Sequence, residues 1–200
     1  MKTASSLPAS RIFHVWIAAL LLLPSLAHAH VGAGHATGLT AGLSHPFGGL
    51  DHLFAMIAVG IWAAQLGGRA LWAWPLSFVA VMAAGAMLGM AGIALPGVET
   101  GIVASVLVLG VLIAVAARLR MAASIAIVGL FAIFHGHAHG TEFTGTAAGM
   151  MYILGFMAAT TVLHACGIGA ASLLQKQSEK PLVRFAGAAI ATCGVVLVLR

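Results

Sequence analysis

The sequence predicts an all-α integral membrane protein, a bundle of six transmembrane helices preceded by a cleavable signal peptide. Hydrophobic residues make up 62% of the 200 positions and charged residues only 6%, and the mean hydropathy is +1.09. These values fit a bundle of membrane-spanning helices and no soluble globular domain. The connections between the apolar stretches are short, so we expect one transmembrane domain over residues 30–200.

The first 29 residues have the pattern of a secretory signal. Lys2 and Arg11 form a cationic start, residues 12–26 are apolar, and Ala27-His28-Ala29 is a small-residue cleavage site. The mature protein would then begin at His30. The alternative is an uncleaved first helix.

A helix needs about 20 apolar residues to cross a bilayer. By this criterion, six candidate spans follow the signal segment. They cover residues 47–66, 70–92, 100–117, 121–134, 147–173 and 182–199. Glycines in these stretches, such as Gly85, Gly89 and Gly155, are expected mainly to let helices approach closely.

The distribution of Lys and Arg predicts the orientation of the bundle. Signal cleavage leaves the mature N-terminus outside, and the three inside loops then hold Arg69, Arg118, Arg120, Lys176, Lys180 and Arg184. Arg200 is the one Lys or Arg residue in the outside segments. We therefore expect a protein of the bacterial inner membrane whose N-terminus and histidine clusters face the periplasm.

The first of two histidine clusters runs from His45 to His52 at the start of the first span. Pro46 disfavours regular helix there, so His45 should lie on a loop or broken turn. Asp51 is already at membrane depth and needs a partner, which a bound cation would supply. It could equally cap the start of the helix. It could also accept a hydrogen bond from His52 and so orient that imidazole for metal binding. For His45 and His52, metal ligation is the favoured interpretation over buried polar pairing.

The second cluster, which ends the fourth span, contains His135, His137, His139 and Glu142. If helix continued through it, His135 and His139 would share a face, Glu142 would lie about 20° from His135, and His137 would point elsewhere. Gly136 makes that geometry uncertain, because glycine can unwind the backbone. A solvated loop rich in histidine is the alternative.

Four further residues are candidates for a metal pathway. His164 lies in the inner part of the fifth span, where an imidazole suggests function although a hydrogen bond to a neighbouring helix would also explain it. Glu99, at the outer start of the third span, could attract ions or favour the helix N-terminus. His30 and His35 in the mature tail could collect metal.

The ligand types favour a transition metal. Imidazole with a few carboxylates suits Ni, Co, Cu and Zn, and affinity alone does not choose among them. Cys166 and Cys193 are far apart in apolar stretches, where we expect buried packing rather than a thiolate site. No nucleotide-binding fingerprint is present, and a nucleic-acid role does not fit the composition.

Taken together, these residues resemble the HupE/UreJ family of nickel and cobalt permeases over nearly the whole mature chain. The family signature HPxxGxDH is met by His45, Pro46, Gly49, Asp51 and His52, and its FHG-type histidine run ending in Glu is met by Phe134, His135, Gly136 and Glu142. The family-like Pro-Gly-Val-Glu start of span three and Leu-His in span five appear at Pro96–Glu99 and Leu163–His164.

The resemblance implies secondary uptake of Ni²⁺ or Co²⁺ as transported substrate, without a permanent cofactor or a nucleotide-binding partner. Such uptake would supply hydrogenase or urease maturation or cobalamin synthesis. A homo-oligomer is compatible with the sequence. We expect His45, Asp51, His52, His135, His139 and Glu142 to bind the metal, with Glu99, His137, His164, His30 and His35 along its path.

Two other function classes compete with a permease. One is a membrane accessory protein or sensor that binds metal without moving it. The other is a di-metal membrane enzyme, since His135-x-x-x-His139 is similar to motifs of di-iron hydroxylases, although these need more histidine motifs. A serine-protease interpretation of Ser44-His45 lacks a nucleophile elbow.

Overall fold

The computed structural model describes residues 38–142, 147–176 and 180–200, and every regular element in these ranges is helical. After a short helix α1 (Leu39–Ser44) and a 3₁₀ turn (His45–Phe47) come six longer helices. These are α2 (Leu50–Leu66), α3 (Ala70–Met90), α4 (Val98–Ala114), α5 (Met121–Glu142), α6 (Ala147–Lys176) and α7 (Lys180–Val198). The predicted signal segment lies outside the described residues.

A sharp bend separates α1 and its 3₁₀ turn from α2. The segment Leu39–Phe47 meets Leu50–Leu66 at 83°. Pro46 lies within the 3₁₀ turn, and Gly49 is extended immediately before α2. The predicted broken turn at His45 is therefore observed, and it brings that histidine to the first turn of α2.

Close approaches at glycine hold the helices together in pairs. A Cβ added at Gly85 would collide with the Ile133 carbonyl oxygen, and one added at Gly89 would crowd the His137 carbonyl oxygen. Because positions further along α3 meet positions further along α5, these two helices run parallel. The same comparison shows that α2 and α6 run parallel and that α4 and α7 run antiparallel. These directions agree with helices that alternate through a bilayer.

The basic side chains lie mostly at one end of the bundle. The Trp62 indole donates a hydrogen bond to the Ala117 carbonyl, and Arg184 donates one to Ala114. The connections α2–α3, α4–α5 and α6–α7 therefore share this end, which carries Arg69, Arg118, Arg120, Lys176 and Arg184. Glu99 and Glu142, at the opposite ends of α4 and α5, lie at the other end.

The all-helical fold is confirmed, and several helices are candidate membrane spans, whereas the count of six spans stays a prediction. Among the described residues, α3, α5, α6 and α7 are long and apolar enough to cross a membrane, and the bent segment with α2 would make a fifth span. Helix α4, with 17 residues, is shorter.

Two details of the sequence-based expectations need correction. The fourth span was expected to end at Phe134, but α5 continues to Glu142 because Gly136 and Gly140 pack directly on the α3 backbone. The expectation that both cysteines are buried was wrong, since Cys166 is exposed on the bundle surface and Cys193 is only partly buried.

Candidate metal site

Three imidazoles meet at the end of the bundle opposite the basic residues. His45 comes from the 3₁₀ turn, His52 from the first turn of α2 and His139 from the last turns of α5. One nitrogen from each ring lies within 4.8 Å of the other two. Bonds of ~2.0–2.1 Å place two imidazole nitrogens on one ion about 3 Å apart, so small ring movements would let these three residues, the outer histidine group, hold a metal.

Asp51 lies behind His52 and fixes which ring nitrogen carries the proton. The His52 Nδ1 atom is 2.8 Å from the Asp51 Oδ1 atom, and the same oxygen accepts the His52 backbone N–H at 2.7 Å. A carboxylate can only accept here, so His52 carries its proton on Nδ1 and directs the Nε2 lone pair toward His139. This is the arrangement by which carboxylates orient metal-binding histidines in many proteins.

Gly49 makes room for this carboxylate. A Cβ added at Gly49 would lie 2.6 Å from Asp51 Oδ1 and 3.5 Å from His52 Nδ1. Real Cβ atoms essentially never come as close as the first of these distances. A side chain at position 49 would therefore displace Asp51 from His52.

His135 lies one helical turn from His139 and deeper in the bundle. Its side chain is fully buried, and its ring centroid is 4.9 Å from that of His52. The Ser105 hydroxyl donates to the Ile102 carbonyl at 2.6 Å, so its oxygen accepts from His135 Nε2 at 3.1 Å. The Nδ1 atom is left with a lone pair and no hydrogen-bond partner among the described residues, which makes it a candidate fourth ligand.

Two aromatic residues of α6 form the wall of the site. The Phe156 ring lies 4.3 Å from the His139 ring and 5.9 Å from those of His45 and His52. The Tyr152 hydroxyl lies 3.4 Å from His139 Nδ1. These rings restrict the movement of the imidazoles and exclude water from their α6 side.

An acidic cavity connects the outer histidine group to the surface. Its volume is about 250 Å³, and its lining includes Glu99, Glu142 and His137 as well as His52 and His139. Glu142 is exposed, with Oε2 3.8 Å from His139 Nδ1. Glu99 is exposed in the first turn of α4 and makes no N-cap hydrogen bond there. The two carboxylates can therefore attract a cation to the mouth of the site.

The remaining predicted residues are not part of the outer histidine group. His137 points away from it, as expected for a continuous helix, and Nε2 lies 2.8 Å from the Ile93 carbonyl oxygen. His164 is buried in α6, further from this end. His30 and His35 lie outside the described residues.

Sequence reasoning missed three residues of the site: Ser105, Tyr152 and Phe156. Their roles depend on packing between helices that the sequence does not specify. The only available signal was Tyr152, which is the sole tyrosine of the chain and falls in an apolar stretch.

Comparison with known proteins finds a matching family and a similar protein. The family described as "HupE / UreJ protein" matches residues 18–197. "Protein HupE" of Rhizobium leguminosarum bv. viciae is 50% identical over 181 residues, which cover 90% of this chain and 94% of the relative. No solved structure matches the chain.

Proposed function

The chain belongs to the HupE/UreJ family, and on this premise we propose that it carries Ni²⁺ or Co²⁺ into the cell across the bacterial inner membrane. The transported ion would supply hydrogenase or urease maturation or cobalamin synthesis. The metal is substrate rather than a resident cofactor. In this proposal the protein is a permease and not an enzyme.

The observation that carries the proposal is the meeting of His45, His52 and His139 behind an acidic cavity at one end of an apolar bundle. An isolated buried histidine is ordinary, but three from separate elements within 4.8 Å form a donor set for a transition metal. A carboxylate behind one of them and a buried lone pair on His135 extend this set inward.

The chemistry of the donors favours a transition metal such as Ni²⁺ or Co²⁺ over Mg²⁺ and Ca²⁺. Mg²⁺ and Ca²⁺ prefer oxygen ligands, whereas the outer histidine group supplies nitrogen. The outer histidine group is not a soft thiolate site, because the donors that meet there among the described residues are the three imidazoles of His45, His52 and His139.

The charge distribution supports entry from the periplasm. Loops rich in Lys and Arg remain in the cytoplasm, and the structure gathers most of the described basic residues at the end opposite the outer histidine group. In this orientation Glu99 and Glu142 face the periplasm, and six crossings place both ends of the mature chain there. His30 and His35 of the N-terminal tail would add a first point of capture.

Transport requires the ion to leave as well as to bind. A closed four-ligand site retains a structural metal, but here three ligands come from different helices and the fourth candidate, His135, is one turn deeper. We propose that the ion passes from Glu142 and the outer histidine group to His135 by exchange of ligands, and then toward His164.

Purified protein in liposomes tests this function directly. Radioactive Ni²⁺ should enter the lumen with the wild-type protein and should do so far more slowly with His52→Ala at equal protein content. Competition by Co²⁺, Zn²⁺ and Mg²⁺ would rank the substrates, and an imposed pH gradient would reveal proton coupling. Ni²⁺ that binds the wild-type protein but never reaches the lumen would establish an accessory or sensor role instead.

A further inference from the structure

A row of buried side chains continues inward from the outer histidine group along one face of α6. Phe156, which contacts the group, is followed at intervals of one helical turn by Thr160 and His164. The exposed fractions of Thr160 and His164 are 0% and 1%. Polar groups buried this deeply normally have hydrogen-bonding or ionic partners. The partners of Thr160 and His164 therefore indicate what these residues do.

Thr160 does not use its hydroxyl in the usual way for a helix. Thr161 and Thr192 donate to the carbonyl one turn earlier. Thr160 instead directs its hydroxyl at two sulfur atoms, 3.2 Å from Met56 Sδ and 3.9 Å from Met82 Sδ. Both methionines are fully buried, from α2 and α3. The hydroxyl oxygen and two thioethers thus meet in the centre of the bundle.

His164 has no hydrogen-bond partner for either ring nitrogen among the described residues. Leaving a neutral polar atom unsatisfied in an apolar interior is unfavourable. A satisfied structural histidine does not fit this position. A ligand supplied from outside the chain, such as a metal ion, would use one of the two nitrogens.

The Phe78 ring contacts the imidazoles of both His135 and His164. Its centroid is 5.7 Å from the His135 ring and 5.1 Å from the His164 ring, and its side chain is fully buried. Met82 follows it by one turn on the same face of α3. An ion leaving His135 for His164 would therefore have to pass this ring.

We propose that Thr160, the thioethers of Met56 and Met82, and His164 one turn further along α6 form an inner metal station, and that the Phe78 ring controls passage from His135 to His164. The inference rests on the proposed transport of Ni²⁺ or Co²⁺. One imidazole with a hydroxyl and neutral sulfurs binds such ions more weakly than three imidazoles. The inner station thus receives the ion for a short time and releases it toward the basic end of the bundle.

Replacement of the inner imidazole by a thiolate ligand tests the station. His164→Ala should reduce Ni²⁺ uptake into liposomes by about tenfold or more. Mutation of residues that only hydrogen-bond to metal ligands already causes losses of this size. Ni²⁺ binding to the outer group should be retained. His164→Cys should restore uptake of thiophilic Cd²⁺ relative to His164→Ala while Ni²⁺ uptake stays low. A histidine that only stabilised packing would give no rescue that depends on the metal.

The outcomes separate this inference from the proposed function. If wild-type protein fails to move Ni²⁺ into the lumen, the transport function itself is wrong. If wild-type protein transports Ni²⁺ and His164→Ala does so equally fast, only the inner station is wrong. Loss of uptake in both His164 variants without rescue by Cd²⁺ also overturns the station.

A matched pair of phenylalanine variants tests the barrier. Phe78→Leu should change the rate of Ni²⁺ passage by about threefold or more without changing binding to the outer group, because the ring controls access between His135 and His164. Phe131→Leu removes a buried ring from α5 that makes no histidine ring contact in the described ranges, and it should leave passage unchanged. Equal effects of the two variants on uptake would overturn the role of Phe78.

Discussion

The Nε2 atoms of His52 and His139 lie 2.7 Å apart, although the residues are 87 positions apart in the chain. Two imidazole nitrogens that close must share a proton or a metal ion, because two lone pairs repel. Since Asp51 holds the His52 proton on the opposite ring nitrogen, His139 supplies the shared proton when no metal is bound. This contact joins the two histidine clusters of the sequence into one site.

The contact between Asp51 and His52 predicts that Asp51→Asn weakens metal binding while the protein stays folded. The amide keeps the size of the side chain but loses the negative charge that orients the imidazole. We expect the affinity for Ni²⁺ to fall about 10–100-fold, measured by equilibrium binding to the purified protein. Asp51→Glu provides a charge-preserving control. Unchanged affinity in Asp51→Asn would contradict the role assigned to the carboxylate.

The position of Gly49 predicts that Gly49→Ala impairs uptake as strongly as Asp51→Asn. The added methyl group would lie 2.6 Å from Asp51 Oδ1 and would push the carboxylate away from His52. Backbone strain is not the cause, because Gly49 has an ordinary extended conformation. The measurement is Ni²⁺ uptake at equal membrane content of protein. In the control Gly169→Ala the methyl group meets nothing within 4 Å, so wild-type uptake is expected, and a similar loss in both variants would refute the explanation.

The sequence predicted the parts of the site that depend on local chemistry. Pro46 and the glycines after it indicated an interrupted helix at His45, and the 3₁₀ turn has this form. The intervals between His135, His137 and His139 predicted which rings would share a face if the helix continued. Each of these inferences needs only the geometry of one element.

The rest could not be predicted because it depends on contacts between elements. Whether α5 would continue through Gly136 is decided by the α3 backbone that packs on it. Nothing near Ser105 in the sequence indicates that its hydroxyl meets His135, 30 positions away. The six predicted spans likewise rested on hydropathy alone, and α4 is too short to test that count by length.

Ser105 fixes which nitrogen of His135 carries the proton, and Ser105→Ala should therefore reduce Ni²⁺ uptake. Without the hydroxyl, the proton can move to Nδ1 and block the lone pair that would serve as the fourth ligand. We expect about a tenfold loss, similar to other partners behind metal ligands. Ser105→Thr keeps the hydroxyl and should retain most of the activity. Uptake by Ser105→Ala at the wild-type rate, measured over the same range of Ni²⁺ concentrations, would show that this contact does not matter.

The glycines of α5 predict opposite outcomes for two similar substitutions on one helix. A Cβ at Gly136 would collide with the Met82 carbonyl oxygen and lie 2.9 Å from the Ala86 amide nitrogen, so Gly136→Ala must push α5 away from α3. Overpacking of this kind costs about 1–3 kcal/mol, and more where only backbone can move. Because His135 and His139 flank this contact, the same displacement should weaken Ni²⁺ binding.

At Gly129, two turns earlier, the nearest atom to an added Cβ is Val81 Cγ2 at 3.6 Å, an ordinary contact distance. Gly129→Ala should therefore be neutral or slightly stabilising, since alanine favours helix over glycine by about 1 kcal/mol. Thermal unfolding in detergent, together with Ni²⁺ binding, distinguishes the two variants. Equal melting temperatures would mean that the α3–α5 approach does not hold the site together, and loss of Ni²⁺ binding in Gly129→Ala would point to a cause other than helix separation.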